Sequence, residues 1–308
     1  MHPALSIIVF TTSSGLGYGL AFFLGFGLLD PAALATKAAH VIALGLISVG
    51  LLSSTLHLGN PQRAWRALSQ WRSSWLSREG VLAIATFVPL CLSAWATLFE
   101  SRHSWPAGLV GSLGCAVTVY CTAMIYASLR TVEAWHTPLT PAAFLAFAGA
   151  GGAMLATFFA ALGGGDAGPL AALALVLLVL AWGTKLVWRR RLRALSSAST
   201  PETATGLGAL GRVRLLERPH VTENYLTREM GFRIARKHAR KLAAIAFGLG
   251  GAVPIVLLAS AALFAAEGGI GWPVFAFLAL WAYAAGLLVE RWLFFAEARH
   301  SVMNYYGG

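Results

Sequence analysis

The chain has 308 residues, of which 57% are hydrophobic and only 11% charged, with a mean hydropathy of +0.69 and a formal net charge of +11. Such a composition belongs to integral membrane proteins and excludes an ordinary soluble domain. In a soluble protein a pI near 10.2 would point to nucleic acid; in a membrane protein it points to anionic lipid, a cytoplasmic partner and the bias of Lys and Arg toward the inner face.

Apolar stretches fall at 5–29, 36–56, 80–99, 107–129, 140–162, 169–188, 242–265 and 271–289. Each is about long enough to cross a ~30 Å hydrocarbon core as a helix. The predicted fold is therefore an all-α integral membrane protein of eight transmembrane helices, forming a single membrane domain over residues 1–308. Met1-His2-Pro3 leads straight into the first apolar run with no basic segment before it, so that run is expected to be a span and not a cleaved signal. Gly15, Gly19, Gly25, Gly27 and Gly45 are expected to let helices approach closely. Gly163-Gly164-Gly165 and Gly268-Gly269 mark tight turns, and Pro89 and Pro254 predict kinks. Acidic and basic residues are nearly absent from the central thirds of the spans, so no water-filled permeation path is expected.

Between spans two and three, residues 57–79 pack His57, Arg63, Trp65, Arg66, Trp71, Arg72, Trp75, Arg78 and Glu79 into one boundary. One reading is an interfacial helix with an aromatic belt and arginines snorkelling to headgroups. The other is a pocket for an amphipathic aromatic ligand such as a quinone. Tryptophan faces would wall its ring, His57 with Arg63 or Arg66 would bond its oxygens, and Glu79 would relay protons.

The second hydrophilic stretch, residues 189–241, opens on Ser196-Ser197-Ala198-Ser199-Thr200-Pro201, a flexible linker by composition. It closes on Arg233, Arg236, Lys237, Arg240 and Lys241, which recur on one helical face. That stripe, with Arg228 before it, suits either lipid phosphates or the docking of an acidic protein. Trp75-Leu76-Ser77-Arg78-Glu79 and Tyr225-Leu226-Thr227-Arg228-Glu229 follow one pattern before spans three and seven, which suggests a parallel 4+4 repeat. Glu290, Arg291 and Glu297, near the end of span eight, suit either structural ion pairs or proton uptake.

The loop between spans two and three carries net +3, and the segment 185–241 carries fourteen Lys and Arg for net +10. The loops on the other side hold Asp30, Glu100, Asp166 and Glu267 against Lys37 and Arg102, net −2. The basic face, and with it both termini, is expected to be cytoplasmic. Cys91, Cys115 and Cys121 lie in apolar segments without a CxxC pair and read as small buried hydrophobes, so no metal site is expected. A b-haem would require two histidines at matched depth. His40, His57, His136 and His300 all lie near or beyond span ends, which argues against haem b.

The run His57-Leu58-Gly59-x-Pro61-x-Arg63-Ala64, followed by Ser74-x-Leu76-Ser77-x-Glu79, resembles the DmsC family, the membrane anchors of DMSO-reductase-type molybdoenzymes. Gly231-Phe232-x-x-Ala235-Arg236-Lys237-His238 and Arg291-Trp292-x-Phe294-Phe295-Ala296-Glu297-Ala298 are similar to its members as well. The resemblance implies a bacterial inner-membrane anchor exchanging electrons with ubiquinone or menaquinone, with His57 and Glu79 at the quinol site. It further implies partner subunits that carry the molybdopterin and the iron–sulfur clusters. A cytoplasmic dock looks like the sulfite-oxidising branch; the alternatives are the anchor of a DMSO or related reductase and a tether without redox function.

Overall fold

The computed structural model describes residues 3–56, 58–195, 200–217, 222, 234–264 and 271–306. The described residues contain helices and no strand. In chain order the helices are α1 (Leu5–Leu24), α2 (Leu34–Thr55), α3 (Trp75–Glu100), α4 (Trp105–Ala127), α5 (Leu139–Leu162), α6 (Gly168–Ala194), α7 (Pro201–Thr205), α8 (Ile234–Phe247), α9 (Val253–Phe264) and α10 (Gly271–Ala296). A 3-10 helix, Pro61–Gln70, lies between α2 and α3, and another, Ser301–Tyr306, ends the described residues. Eight candidate spans result, the seventh running from His238 to Leu263 across α8 and α9.

Several boundaries depart from the sequence reading: α1 ends at Leu24 where hydropathy extends the span to 29, span seven begins at His238 where hydropathy starts it at 242, and three others lie at the end of the molecule that carries the basic loops. Helix α3 begins at Trp75, so Glu79 lies inside the spanning helix. Helices α6 and α10 run on to Ala194 and Ala296. Hydropathy cuts these spans short because Arg189, Arg190 and Arg191 in one, and Glu290 and Arg291 in the other, lower the local average, although the helix continues through them. A further departure lies in the stretch read as a linker. Residues 196–199 fall outside the described ones, but the Thr200 side chain accepts from the Thr203 N–H and opens the short helix α7.

Helices α1–α4 close one ring, with contacts α1·α2, α2·α3, α3·α4 and α4·α1. Helices α5, α6, the α8–α9 span and α10 close a second. The rings meet chiefly through α1 and α5. At that seam Gly19 and Gly152 cross, and a Cβ on either would collide with the other helix's backbone. Gly250 and Gly286 make the equivalent close approach between span seven and α10. Small residues allow backbones to meet and gain dispersion contacts that lipid would otherwise hold. Gly45, by contrast, has no atom within 4 Å of a Cβ placed there, so it faces open surface and joins no helix contact.

Span seven is broken by a π-helical turn, Gly248–Ala252, directly before Pro254. The Trp182 indole donates to the Gly250 carbonyl at 2.7 Å, so the break is satisfied by a neighbouring helix. Cys115 and Cys121 are buried as expected, whereas Cys91 is exposed on the outer face of α3.

Candidate functional site

The first turn of α3 is fixed by the 3-10 helix laid against it. Ser74 caps the helix by accepting from the Ser77 N–H at 3.5 Å, and the Ser77 hydroxyl donates to the Ala67 carbonyl. This turns Ser77 and Glu79 inward and leaves Trp75 and Arg78 at the rim. Glu79 is 6% exposed, and the Thr122 hydroxyl of α4 donates to its Oε1 at 2.8 Å.

The tryptophans and arginines of the loop do not join it. Arg63, Trp65, Arg66 and Trp71 do not turn into the bundle; the Arg66 guanidinium sits 5.5 Å over the Trp65 ring and that of Arg72 5.5 Å over Trp71. Trp75 is half-buried, edge-on to Tyr120 at 6.0 Å and beneath Arg78 at 4.3 Å. Arg78 also donates to the Trp71 and Arg72 carbonyls at 3.0 and 2.6 Å, which ties the loop to the helix. The single pocket expected from sequence thus divides into an outward aromatic–arginine surface and a buried carboxylate. The structure brings only Trp75 to the same helix turn as Glu79. His57 lies outside the described residues.

The ion-pair reading of Glu290, Arg291 and Glu297 holds, but sequence reasoning missed their partners on α6, Lys185 and Arg189. Lys185 of α6 lies 2.6 Å from Glu290 Oε1, and Arg291 Nε lies 2.5 Å from Glu290 Oε2, all nearly free of solvent. Lys185 also sits 3.7 Å over the Trp188 ring and Arg291 4.1 Å over Phe144. These contacts offset part of the desolvation cost of several kcal/mol per buried ion. Nearer the end, Arg189 pairs with Glu297 at 2.7 Å. Burial nevertheless raises the Glu297 carboxyl above its ordinary range.

Arg291 and Thr122 line a small cavity of about 20 Å³, with Thr11 and Ser14 also in its wall. That volume suits a single water and not an aromatic ring. The three cations Lys185, Arg189 and Arg291 thus share two carboxylates, Glu290 and Glu297. The available signal was the continued helical run through 185–194 and 290–297, with Trp182 and Trp188 flanking Lys185. Partner choice between helices so distant in sequence was not legible.

Of the expected docking residues, Arg228 and Arg233 lie outside the described ones. Arg236 and Lys237 fall in the first turn of α8, where only the backbone is described, and Arg240 and Lys241 lie at the surface. Among the described residues no group of three or more His, Cys, Asp or Glu is placed to hold a metal.

Known proteins resemble this sequence along its whole length. The model of the DMSO reductase anchor subunit family, DmsC, matches residues 1–215. The protein is 33% identical, over an alignment of 331 positions, to the C subunit of sulfite dehydrogenase from Allochromatium vinosum, with 99% of each sequence covered. It is 30% identical over 128 residues to the C polypeptide of anaerobic dimethyl sulfoxide reductase from Escherichia coli, with 39% of this sequence and 43% of that one covered. No solved structure matches. A family match over more than half the sequence, together with a full-length relative, identifies this membrane-spanning helical protein as a member of the DmsC family of anchor subunits.

Proposed function

We propose that the protein is the quinone-reactive anchor of a molybdoenzyme complex, passing electrons between a partner iron–sulfur subunit and the quinone pool during sulfite oxidation. The observation that carries this reading is Glu79, a carboxylate buried inside a spanning helix and held by the Thr122 hydroxyl at 2.8 Å. A two-electron, two-proton carrier requires a proton-handling group where its ring meets the protein. The described residues enclose no ring-sized slot beside Glu79, so the ring approaches from the bilayer at the half-buried Trp75–Tyr120 edge. His57 and Glu79 then serve its two oxygens, and Arg63, Trp65, Arg66 and Trp71 form the rim.

Sulfite is preferred to DMSO as substrate class because the full-length relative belongs to a sulfite dehydrogenase, whereas the DMSO reductase polypeptide matches over 39% of this sequence. The basic loops, and both termini, are assigned to the cytoplasm on their charge. The identical ring order of α1–α4 and α5–α10 supports the 4+4 repeat. The cationic segment 228–241 docks the iron–sulfur subunit, and the molybdopterin subunit binds through it.

Glu79→Gln and His57→Ala in the assembled complex test the assignment. Quinone-linked turnover is expected to fall by ~10²–10⁴-fold, the usual contribution of a positioned acid–base group. Activity of the molybdenum subunit with a soluble dye should survive. Near-wild-type quinone-linked rates in both variants would place the site elsewhere.

A further inference from the structure

Glu79 opens a stripe. Along α3, Glu79, Thr86, Ser93 and Thr97 fall on one helical face, and they are 6%, 3%, 2% and 1% exposed. At 1.5 Å per residue the stripe rises about 27 Å, nearly the whole hydrocarbon thickness. It faces the interior of the α1–α4 ring, where other polar groups meet it at several levels. Thr122 donates to Glu79 at 2.8 Å. Deeper in, the Thr86 and Thr118 hydroxyls lie 3.4 Å apart. At the far end the Thr97 hydroxyl lies 3.2 Å from His40 Nε2 on α2. His103, in the loop between α3 and α4, packs beside Gly27 and Gly108 at the same end of the ring.

Two members of this interior, the Tyr18 hydroxyl and the Ser93 hydroxyl, are buried with no hydrogen-bond partner among the described residues. Burying such a group unpaired is destabilising. Phenylalanine and alanine at these positions would pack without that cost, so the polar choice requires another reason. Ser93 lines a second small cavity of about 10 Å³ together with His40 and Leu90. Hydroxyls and imidazoles both donate and accept, which fits them to pass protons along a hydrogen-bonded file. Ionisable residues inside spans, here Glu79 and His40, commonly mark proton pathways.

We propose that the α1–α4 ring carries a proton route joining Glu79 to the opposite face of the membrane at His40 and His103. The inner segment runs through Thr122, Thr118 and Thr86, and the outer one through Ser93, Thr97 and His40. About 10 Å separate Thr86 from Ser93 along the helix, and Leu90 fills the turn between them. The route conducts when water passes Leu90, which makes that side chain its gate. The inference deepens the reading of Glu79 as the proton-handling group, since it states where those protons come from or go.

The test is passive proton flux in vesicles reconstituted with the whole complex, with a pH dye inside and a potassium diffusion potential applied through valinomycin. Wild-type vesicles should conduct protons above protein-free vesicles, and Leu90→Ala should raise that flux further. Ser93→Ala, which removes one hydroxyl of the route, should reduce it toward the protein-free rate, while Ser93→Thr should retain it. Flux equal to that of protein-free vesicles in both wild type and Leu90→Ala overturns the route. Quinone-linked turnover is measured on the same vesicles, so that a failure of the quinone assignment shows separately from a failure of the route.

Discussion

Lys185 Nζ and Glu290 Oε1 lie 2.6 Å apart with side chains 3% and 1% exposed, an ion pair sealed between α6 and α10. Arg291 holds the second carboxylate oxygen, so one glutamate serves two buried cations. This asymmetry fixes how the site responds to substitution. Glu290→Gln leaves two buried positive charges facing one another, whereas Lys185→Met leaves Glu290 paired with Arg291. Breaking a buried pair costs ~3–5 kcal/mol. Glu290→Gln should therefore lower the thermal unfolding midpoint of the purified complex more than Lys185→Met does. Equal shifts would contradict the shared-carboxylate arrangement.

Thr122 holds Glu79 by one hydrogen bond at 2.8 Å. Thr122→Val keeps the shape and removes the donor, at a cost of about 1.5–3 kcal/mol for a bond to a charged group. Quinone-linked kcat should fall, with Thr122→Ser restoring it. An unchanged rate in Thr122→Val would show that Glu79 needs no partner there.

The crossing of Gly19 over Gly152 tolerates no side chain, because a Cβ on either meets backbone that cannot rotate aside. Gly19→Ala should destabilise the folded anchor by ~1–3 kcal/mol through overpacking. Gly45→Ala, which meets nothing within 4 Å, should be neutral or slightly stabilising, since alanine is the better helix former. Unfolding in detergent, followed by the exposure of buried Cys115 to a thiol reagent, distinguishes the two.

Leu210 is 86% exposed in the basic loop. With Cys91 replaced to remove background, Leu210→Cys should resist an impermeant thiol reagent in intact cells and react in inverted vesicles. Asp166→Cys, between α5 and α6, should do the reverse. Labelling of position 210 from outside would reverse the orientation.

The cationic segment leading into α8 is expected to hold the iron–sulfur subunit. Reversing Arg233, Arg236 and Arg240 to Glu should release the soluble subunits from washed membranes at physiological salt. Full retention would assign the stripe to lipid phosphates.

Hydropathy alone determined eight spans, because a helix must satisfy its own backbone in lipid and only long apolar runs can do so. The motif ending in Glu79 was legible for a similar reason: a carboxylate at a span boundary stands out against its neighbours. Helix ends at 194 and 296 were not legible, since buried Arg189, Glu290 and Arg291 carry the same local signal as loop charges. What distinguishes them is a partner on another helix, and pairing across distant spans has no period in the sequence. The same limit hid the polar stripe of α3. Threonine and serine at that spacing read as tolerated small residues until packing shows that Thr86 and Thr97 meet Thr118 and His40 across the ring. Tertiary structure also decided which of the loop residues turn inward. Ser77 bound to Ala67 rotates Glu79 into the bundle and leaves Trp65 and Trp71 outside, a choice made by one side-chain contact that composition cannot specify.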